Sequence, residues 1–225
     1  MEVFVKYPAD IKKKHEEIQK KIFYMLPEKW DRLYLYASVM EYPGDIKMGE
    51  MFFYYFPKGI LRKRPVNVYE IPSKFDIDER QYAKYADELY DMIKNLREIC
   101  IENGEEPWSN ITISIENLKY RAIYNYEDLT FGEFDEDKRR VIWLYRYLKL
   151  PYASFTRKEQ GLIDRYEKQT KPRETSFELP LYTKGLNKNM ETISDMQKKF
   201  KFVTEDKIEE IEFSKKHVPK SQILK

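Results

Sequence analysis

The chain has 225 residues, of which 42% are hydrophobic and 36% are charged, and its formal net charge is +2. This composition excludes a largely disordered chain, and the near-neutral charge excludes a generally basic nucleic-acid-binding protein. The single Cys100 excludes an intramolecular disulfide. The sequence shows no N-terminal signal segment and no apolar run long enough to span a bilayer. We therefore expect a cytoplasmic protein with no membrane contact.

The N-terminal third of the chain predicts a helix followed by three strands. Asp10 is expected to cap the helix, which Pro27 ends. Runs of aromatic and β-branched residues predict strands at 33–40, 50–56 and 66–71, the second with aromatic residues on both faces. The connections between these strands are short, which indicates an antiparallel sheet.

The central stretch, residues 78–129, predicts a long helix and a β-hairpin. Apolar residues recur with a period of about 3.6 residues, which indicates an amphipathic helix of about 26 residues capped by Asp76 or Asp78. Gly104 suits the position just after the last turn of this helix. Alternating apolar residues from Ile111 to Tyr126 then predict two paired strands.

The outer side of this helix is predicted to be acidic. Residues 76–116 contain eleven acidic and four basic residues, whereas residues 151–225 contain twelve acidic and sixteen basic residues. A solvated outer face and a docking surface for a basic partner both explain this pattern, and the sequence leaves the two open. The candidate contact residues are the acids of the helix and of the segments that follow it: Asp87, Asp91, Glu98, Glu102, Glu105, Glu106 and Asp128.

A last helix, from Asp137 to Leu148 with Asp135 as its cap, completes the predicted domain. We therefore expect an α+β domain over residues 1–151, in which helices pack on an antiparallel sheet. Residues 152–225 are predicted to be a mostly helical and partly irregular extension, with helical patterns at 155–171 and 190–202 and an irregular stretch around Pro180.

The sequence predicts no catalytic, metal-binding or cofactor-binding site. The two histidines, His15 and His217, are far apart and lie among charged residues, where exposed side chains are expected. Glycines are few and scattered, so no phosphate-binding loop is present. Trp108 and Trp143 are either buried core residues or exposed platforms on which nucleic-acid bases stack. Their positions in the sequence favour the core.

Several motifs in chain order resemble the YezG/EsaG-type immunity proteins, the antitoxins of LXG-class nuclease toxins from type VII secretion systems of Gram-positive bacteria. The resemblance covers about residues 10–151. Its motifs are Ile22-x-x-Met25-Leu26-Pro27-x-x-Trp30, Glu50-Met51-Phe52-Phe53-Tyr54-Tyr55, Asn103-Gly104-x-Glu106-Pro107-Trp108-Ser109, Asn125-Tyr126-Glu127-Asp128-Leu129 and Trp143-x-Tyr145-x-Tyr147-Leu148.

This resemblance implies a domain with the order α-β-β-β-α-β-β-α that binds and neutralises a cognate nuclease toxin stoichiometrically in the cytosol and is not an enzyme. The basic loop 57–65 and the long extension after residue 152 depart from the family pattern. One alternative is an adaptor or chaperone-like escort for a secreted protein. A further alternative is nucleic-acid binding through the lysines of 12–21 and the arginines of 62–64, although we expect no direct nucleic-acid contact.

Overall fold

The computed structural model describes residues 8–44, 46–59, 64–130, 132–169 and 173–181. These residues form an α+β fold of five helices and eight strands. The helices are α1 (Ala9–Tyr24), α2 (Ile71–Phe75), α3 (Glu79–Glu102), α4 (Glu136–Arg146) and α5 (Arg157–Lys168). The strands are β1 (Trp30–Ser38), β2 (Met40–Tyr42), β3 (Ile46–Met48), β4 (Met51–Pro57), β5 (Val66–Asn67), β6 (Asn110–Glu116), β7 (Lys119–Asn125) and β8 (Glu174–Pro180).

Six of the strands form one antiparallel sheet in the order β5-β4-β1-β6-β7-β8. The strand β1 lies in the middle of this order, where Leu35 pairs with Phe53 on one side and with Ile113 on the other. The strands β2 and β3 form a separate antiparallel hairpin between β1 and β4. The predicted antiparallel sheet with packed helices is therefore confirmed.

Helices cover both faces of the main sheet. On one face, α1 and α3 bury their apolar sides against alternate residues of the strands, including Leu33, Leu35 and Ala37 of β1. On the other face, Tyr34 and Tyr36 pack under α4. The α4 residue Trp143 stacks edge-on against Phe52, with ring centroids 4.9 Å apart, and its indole N–H donates to Thr112 Oγ1 at 3.1 Å. The predicted aromatic residues on both faces of the aromatic strand, now β4, are confirmed: Phe53 and Tyr55 pack on the side of α1 and α3, and Phe52 and Phe56 pack on the side of α4.

The predicted capping residues of α3 and α4 are confirmed, and that of α1 is not. Asp78 caps α3 by accepting a hydrogen bond from the backbone N–H of Gln81 at 2.7 Å, and Gly104 has a positive φ of 80° just after the helix. Asp135 caps α4 in the same way, through Lys138 N–H. Asp10, by contrast, lies inside α1, whose cap position is Pro8, so the predicted cap was wrong by two residues.

The third predicted strand, residues 66–71, was largely wrong. Only Val66 and Asn67 form a strand, and a 3-10 turn at Val68–Glu70 leads directly into α2. The side chain of Asn67 accepts a hydrogen bond from Tyr69 N–H, which turns the chain away from the sheet. Pro72 then occupies the first turn of α2, where a missing N–H costs nothing.

His15 was predicted to be exposed, and the structure contradicts this. Its side chain is fully buried, with Nδ1 2.8 Å from Tyr120 Oη and Nε2 2.5 Å from Tyr124 Oη, and its ring stacks on Phe177 with centroids 4.3 Å apart. His15 therefore joins α1 to β7 and β8. The other histidine, His217, lies outside the described residues.

The chain after Pro151 adds a helix and a strand to this framework. The predicted helix is present as α5, which begins at a Thr156–Glu159 capping box and packs on α4 through Leu162 and Tyr166. The stretch around Pro180 was predicted to be irregular, whereas residues 174–180 form β8 and pair with β7 along its whole length. The predicted helical pattern at 190–202 lies outside the described residues.

Candidate functional site

The acidic residues singled out from the sequence centre on α3. Its 24 residues span about 36 Å, at about 1.5 Å per residue. One side of the helix is buried against α1 and the sheet through residues such as Tyr82, Leu89 and Ile93. The opposite side faces solvent. The fold thus presents one long helical surface for contact.

Four of the predicted contact residues lie along this solvent-facing side and define what we call the acidic stripe: Asp87, Asp91, Glu98 and Glu102. Their spacing of four, seven and four residues keeps them on one side of the helix over about 22 Å. Asp87, Asp91 and Glu102 are exposed, and Glu98 is half-buried. The structure therefore brings these four carboxylates into one line.

Basic residues neutralise part of the acidic stripe. Lys94 Nζ lies 2.7 Å from a carboxylate oxygen of Asp91, and Lys47 Nζ of β3 lies 2.5 Å from one of Glu98. Neither Asp87 nor Glu102 forms an ion pair with another described residue. The free negative charge of the stripe therefore resides mainly at these two ends.

Arg97 holds the β2–β3 hairpin against α3. Its guanidinium is buried, donates from Nε to the carbonyl oxygen of Trp108 at 2.7 Å, and donates from Nη1 to the carboxylate of Glu41 in β2. The hydrogen bond from Arg97 lowers the pKa of the Glu41 carboxyl. With the Lys47–Glu98 pair, this places the polar side of the hairpin against the helix and next to the acidic stripe.

The other side of the hairpin consists of apolar residues exposed to solvent. Tyr42, Ile46 and Met48 are 40%, 53% and 58% exposed, and Met40, half-buried, pairs with Met48 in the same register. These residues were not among the predicted contact residues. The alternation in Met40-Glu41-Tyr42 and Ile46-Lys47-Met48 is the signal that predicts two half-buried strands.

Three further predicted contact residues lie beyond the helix. Glu105 lines a cavity of about 250 Å³ whose other lining residues include Cys100, Trp108 and Tyr124. Glu106 forms an ion pair with Arg173, whose guanidinium also lies over the ring of Tyr126. Both residues are exposed just beyond the end of α3, and their contacts lie toward β7 and β8 and not along the acidic stripe.

Asp128 is separated from the acidic stripe by the sheet. Its carboxylate accepts a hydrogen bond from Thr130 N–H in the loop between β7 and α4. The preceding residue, Glu127, binds Arg139 of α4, on the face of the sheet opposite α3. The structure therefore does not place Asp128 on the surface that the helix acids share.

The described part of the chain offers no grouping suited to catalysis or metal binding. No set of three or more His, Cys, Asp or Glu side chains in these residues is arranged to hold a metal ion. The imidazole of His15 contacts the hydroxyls of Tyr120 and Tyr124 and the ring of Phe177, and burial raises the pKa of Cys100, which keeps its thiol protonated. No helix in the described ranges is long and apolar enough to cross a membrane.

The basic residues considered for nucleic-acid binding are partly paired. Lys14 Nζ lies 2.7 Å from Glu17, and Lys21 Nζ lies 2.5 Å from Glu88 of α3. Arg62 and Lys63, from the predicted basic loop, lie outside the described residues. Lys21 thus attaches α1 to α3, whereas Lys14 pairs within its own helix.

Comparisons with known proteins identify similar chains. Residues 11–161 match the model of the family described as "Immunity protein YezG-like". The chain is 29% identical over 137 residues to Immunity protein YezG of Bacillus spizizenii, covering 60% of this chain and 81% of that protein. It is 26% identical over 166 residues to the type VII secretion system protein EsaG of Staphylococcus aureus, covering 72% of this chain and 97% of that protein.

Proposed function

Because the chain belongs to the family of YezG-like immunity proteins, we propose that it neutralises a cognate nuclease toxin by stoichiometric binding. The membership assigns an immunity role carried out by binding and not by enzymatic catalysis. The name of the Staphylococcus aureus relative supports a toxin from a type VII secretion system. The nuclease as partner is our own inference.

The observation that carries the proposal is the acidic stripe on α3. A nuclease holds the phosphates of its substrate with Lys and Arg side chains, so a row of carboxylates about 22 Å long is complementary to such a groove. Complementary charge speeds the encounter of two proteins and fixes their relative orientation. We propose Asp87 and Glu102, the stripe residues without a described ion pair, as its main contacts, with Asp91, Glu98, Glu105 and Glu106 around them.

Co-expression tests the function directly. The chain is produced together with the polypeptide encoded beside its gene, in cells where that polypeptide alone arrests growth. We expect restored growth, a 1:1 complex on gel filtration with light scattering, and loss of DNA cleavage by the purified polypeptide. A complex that forms without restored growth or inhibited cleavage would favour the alternative function, a non-inhibitory escort.

Charge reversal tests the surface. Asp87→Lys combined with Glu102→Lys is expected to weaken the complex at least about ten-fold, chiefly through slower association, and to reduce its sensitivity to salt. The matched control reverses Asp164 and Glu167 on α5, which packs on the opposite side of the sheet and gives the same change in net charge. Equal losses in both variants, or none in the first, would contradict the assignment of the stripe.

A further inference from the structure

We infer that the outward side of the β2–β3 hairpin is an apolar contact site for the same toxin domain, so that the partner covers the hairpin and the acidic stripe together. This inference rests on the proposed function and names the surface that provides affinity beyond charge. The outward side consists of Met40, Tyr42, Ile46 and Met48, and is called here the apolar hairpin face.

The orientation of the hairpin is the reverse of the usual one. In a strand, alternate residues face opposite sides, and a hairpin packed on a protein normally turns its apolar side inward. Here Glu41 and Lys47, paired with each other across the hairpin, point toward α3 and bind Arg97 and Glu98. The apolar residues Ile46 and Met48, on the other side of the hairpin, are exposed to solvent, although the Glu41 side chain also remains half exposed. The ion pairs of Glu41 and Lys47 thus hold the hairpin with its apolar side chains facing outward, although such pairs contribute little stability by themselves.

The hairpin is also fixed in place, which favours binding. Tyr90 of α3 donates a hydrogen bond to the carbonyl oxygen of Ser38 at 2.8 Å, next to the start of the hairpin. At the other end, Glu50 N–H donates to the hydroxyl of Ser38 at 2.9 Å. Because both ends of the hairpin are hydrogen-bonded at Ser38, its base is held in place before a partner binds, which reduces the entropy lost on binding.

Size and charge identify the occupant. The apolar hairpin face comprises four side chains, too few for a stable protein–protein interface, which buries about 800 Å² on each partner. The acidic stripe adjoins it through Glu98, which contacts both Lys47 of the hairpin and Arg97 of the helix. An apolar centre with a charged border is the usual arrangement of such an interface. The fitting partner is therefore a basic protein domain with an apolar patch beside its cationic groove.

The experiment compares the double variant Ile46→Ser, Met48→Ser with Leu118→Ser. Leu118 is 77% exposed in the turn between β6 and β7, at the opposite end of the strands from the hairpin. Affinity for the toxin identified by co-expression is measured by calorimetry at two salt concentrations. We expect the double variant to bind about 30-fold more weakly with unchanged salt dependence, and the control to bind like the parent chain.

The outcomes separate the two proposals. If the parent chain neither binds nor protects, the proposed function fails and the inference fails with it. If the parent binds and the double variant binds equally well while both remain folded by circular dichroism, only the inference is overturned. If the parent chain is a dimer in light scattering and only the double variant is a monomer, with toxin affinity unchanged, a second copy of the chain is the occupant and the inference is likewise overturned.

Discussion

His15 makes the fold sensitive to acid. The imidazole is buried between two tyrosine hydroxyls, one at each ring nitrogen, and a neutral ring satisfies this arrangement by donating to one and accepting from the other. Burial without a carboxylate partner lowers the pKa of His15 from 6.5 to about 3. The folded chain therefore resists protonation at pH values where the unfolded chain takes up the proton.

The sign and size of the effect follow from this pKa difference. The contribution of His15 to stability is fully present above pH 6.5 and is lost as pH falls toward 3. Between pH 7 and pH 4.5 the unfolded chain gains about three-quarters of a proton at this position, and the folded chain gains almost none. The free energy of unfolding is expected to fall by about 2.5 kcal/mol through this residue alone, at about 1.36 kcal/mol per pKa unit.

Urea unfolding at pH 7 and at pH 4.5 measures this loss against a control. His15→Gln retains one donor and one acceptor and does not titrate, so the variant is expected to be less stable at pH 7 but to lose about 2.5 kcal/mol less between the two pH values. The carboxylates titrate alike in both proteins and cancel. Parallel pH profiles for parent and variant would show that His15 is not buried as a neutral ring.

Two further predictions concern stability. Arg139→Met leaves the carboxylate of Glu127, with only 10% of its side chain exposed, without its guanidinium, and we expect a loss of about 3–5 kcal/mol in urea unfolding. Adding Glu127→Gln to this variant should recover part of the loss, and no recovery would argue against an uncompensated charge. Thr156→Ala removes the cap of α5 and is expected to cost about 1 kcal/mol, whereas a Thr156→Ser control should cost less.

The elements with a regular apolar period and a capping residue were predictable from the sequence. The helix α3 combines both, and Asp78 and Gly104 mark its ends as predicted. The segment Val66-Asn67-Val68-Tyr69 alternates like a strand, but the Asn67 side chain and Pro72 bend it into helical turns. Local hydrogen bonding by a side chain overrode the alternating pattern there.

Contacts between residues far apart in the chain were harder to predict from the sequence. His15 lies four residues after Ile11 and three before Ile18, on the buried side of α1, but its neighbouring lysines suggested exposure. The residues of β8 alternate in burial through Thr175, Phe177 and Leu179. This segment forms a strand because it pairs with the edge of β7, a partner that the sequence pattern does not reveal. In the same way, the acidic spacing on α3 was visible in the sequence, and so was the nearby Lys94, whereas the Lys47 that pairs with Glu98 comes from β3.

The strand order of the main sheet also sets when the protein becomes active during synthesis. Leu33 of the central strand β1 pairs with Ile115 of β6, eighty-two positions later in the chain. At about 5–20 residues per second, the ribosome needs about 4–16 s to deliver that partner. Until then α3 and the β2–β3 hairpin are already synthesised but have no complete sheet to hold them. Translation must therefore proceed beyond β6 before the surface proposed for toxin binding can form.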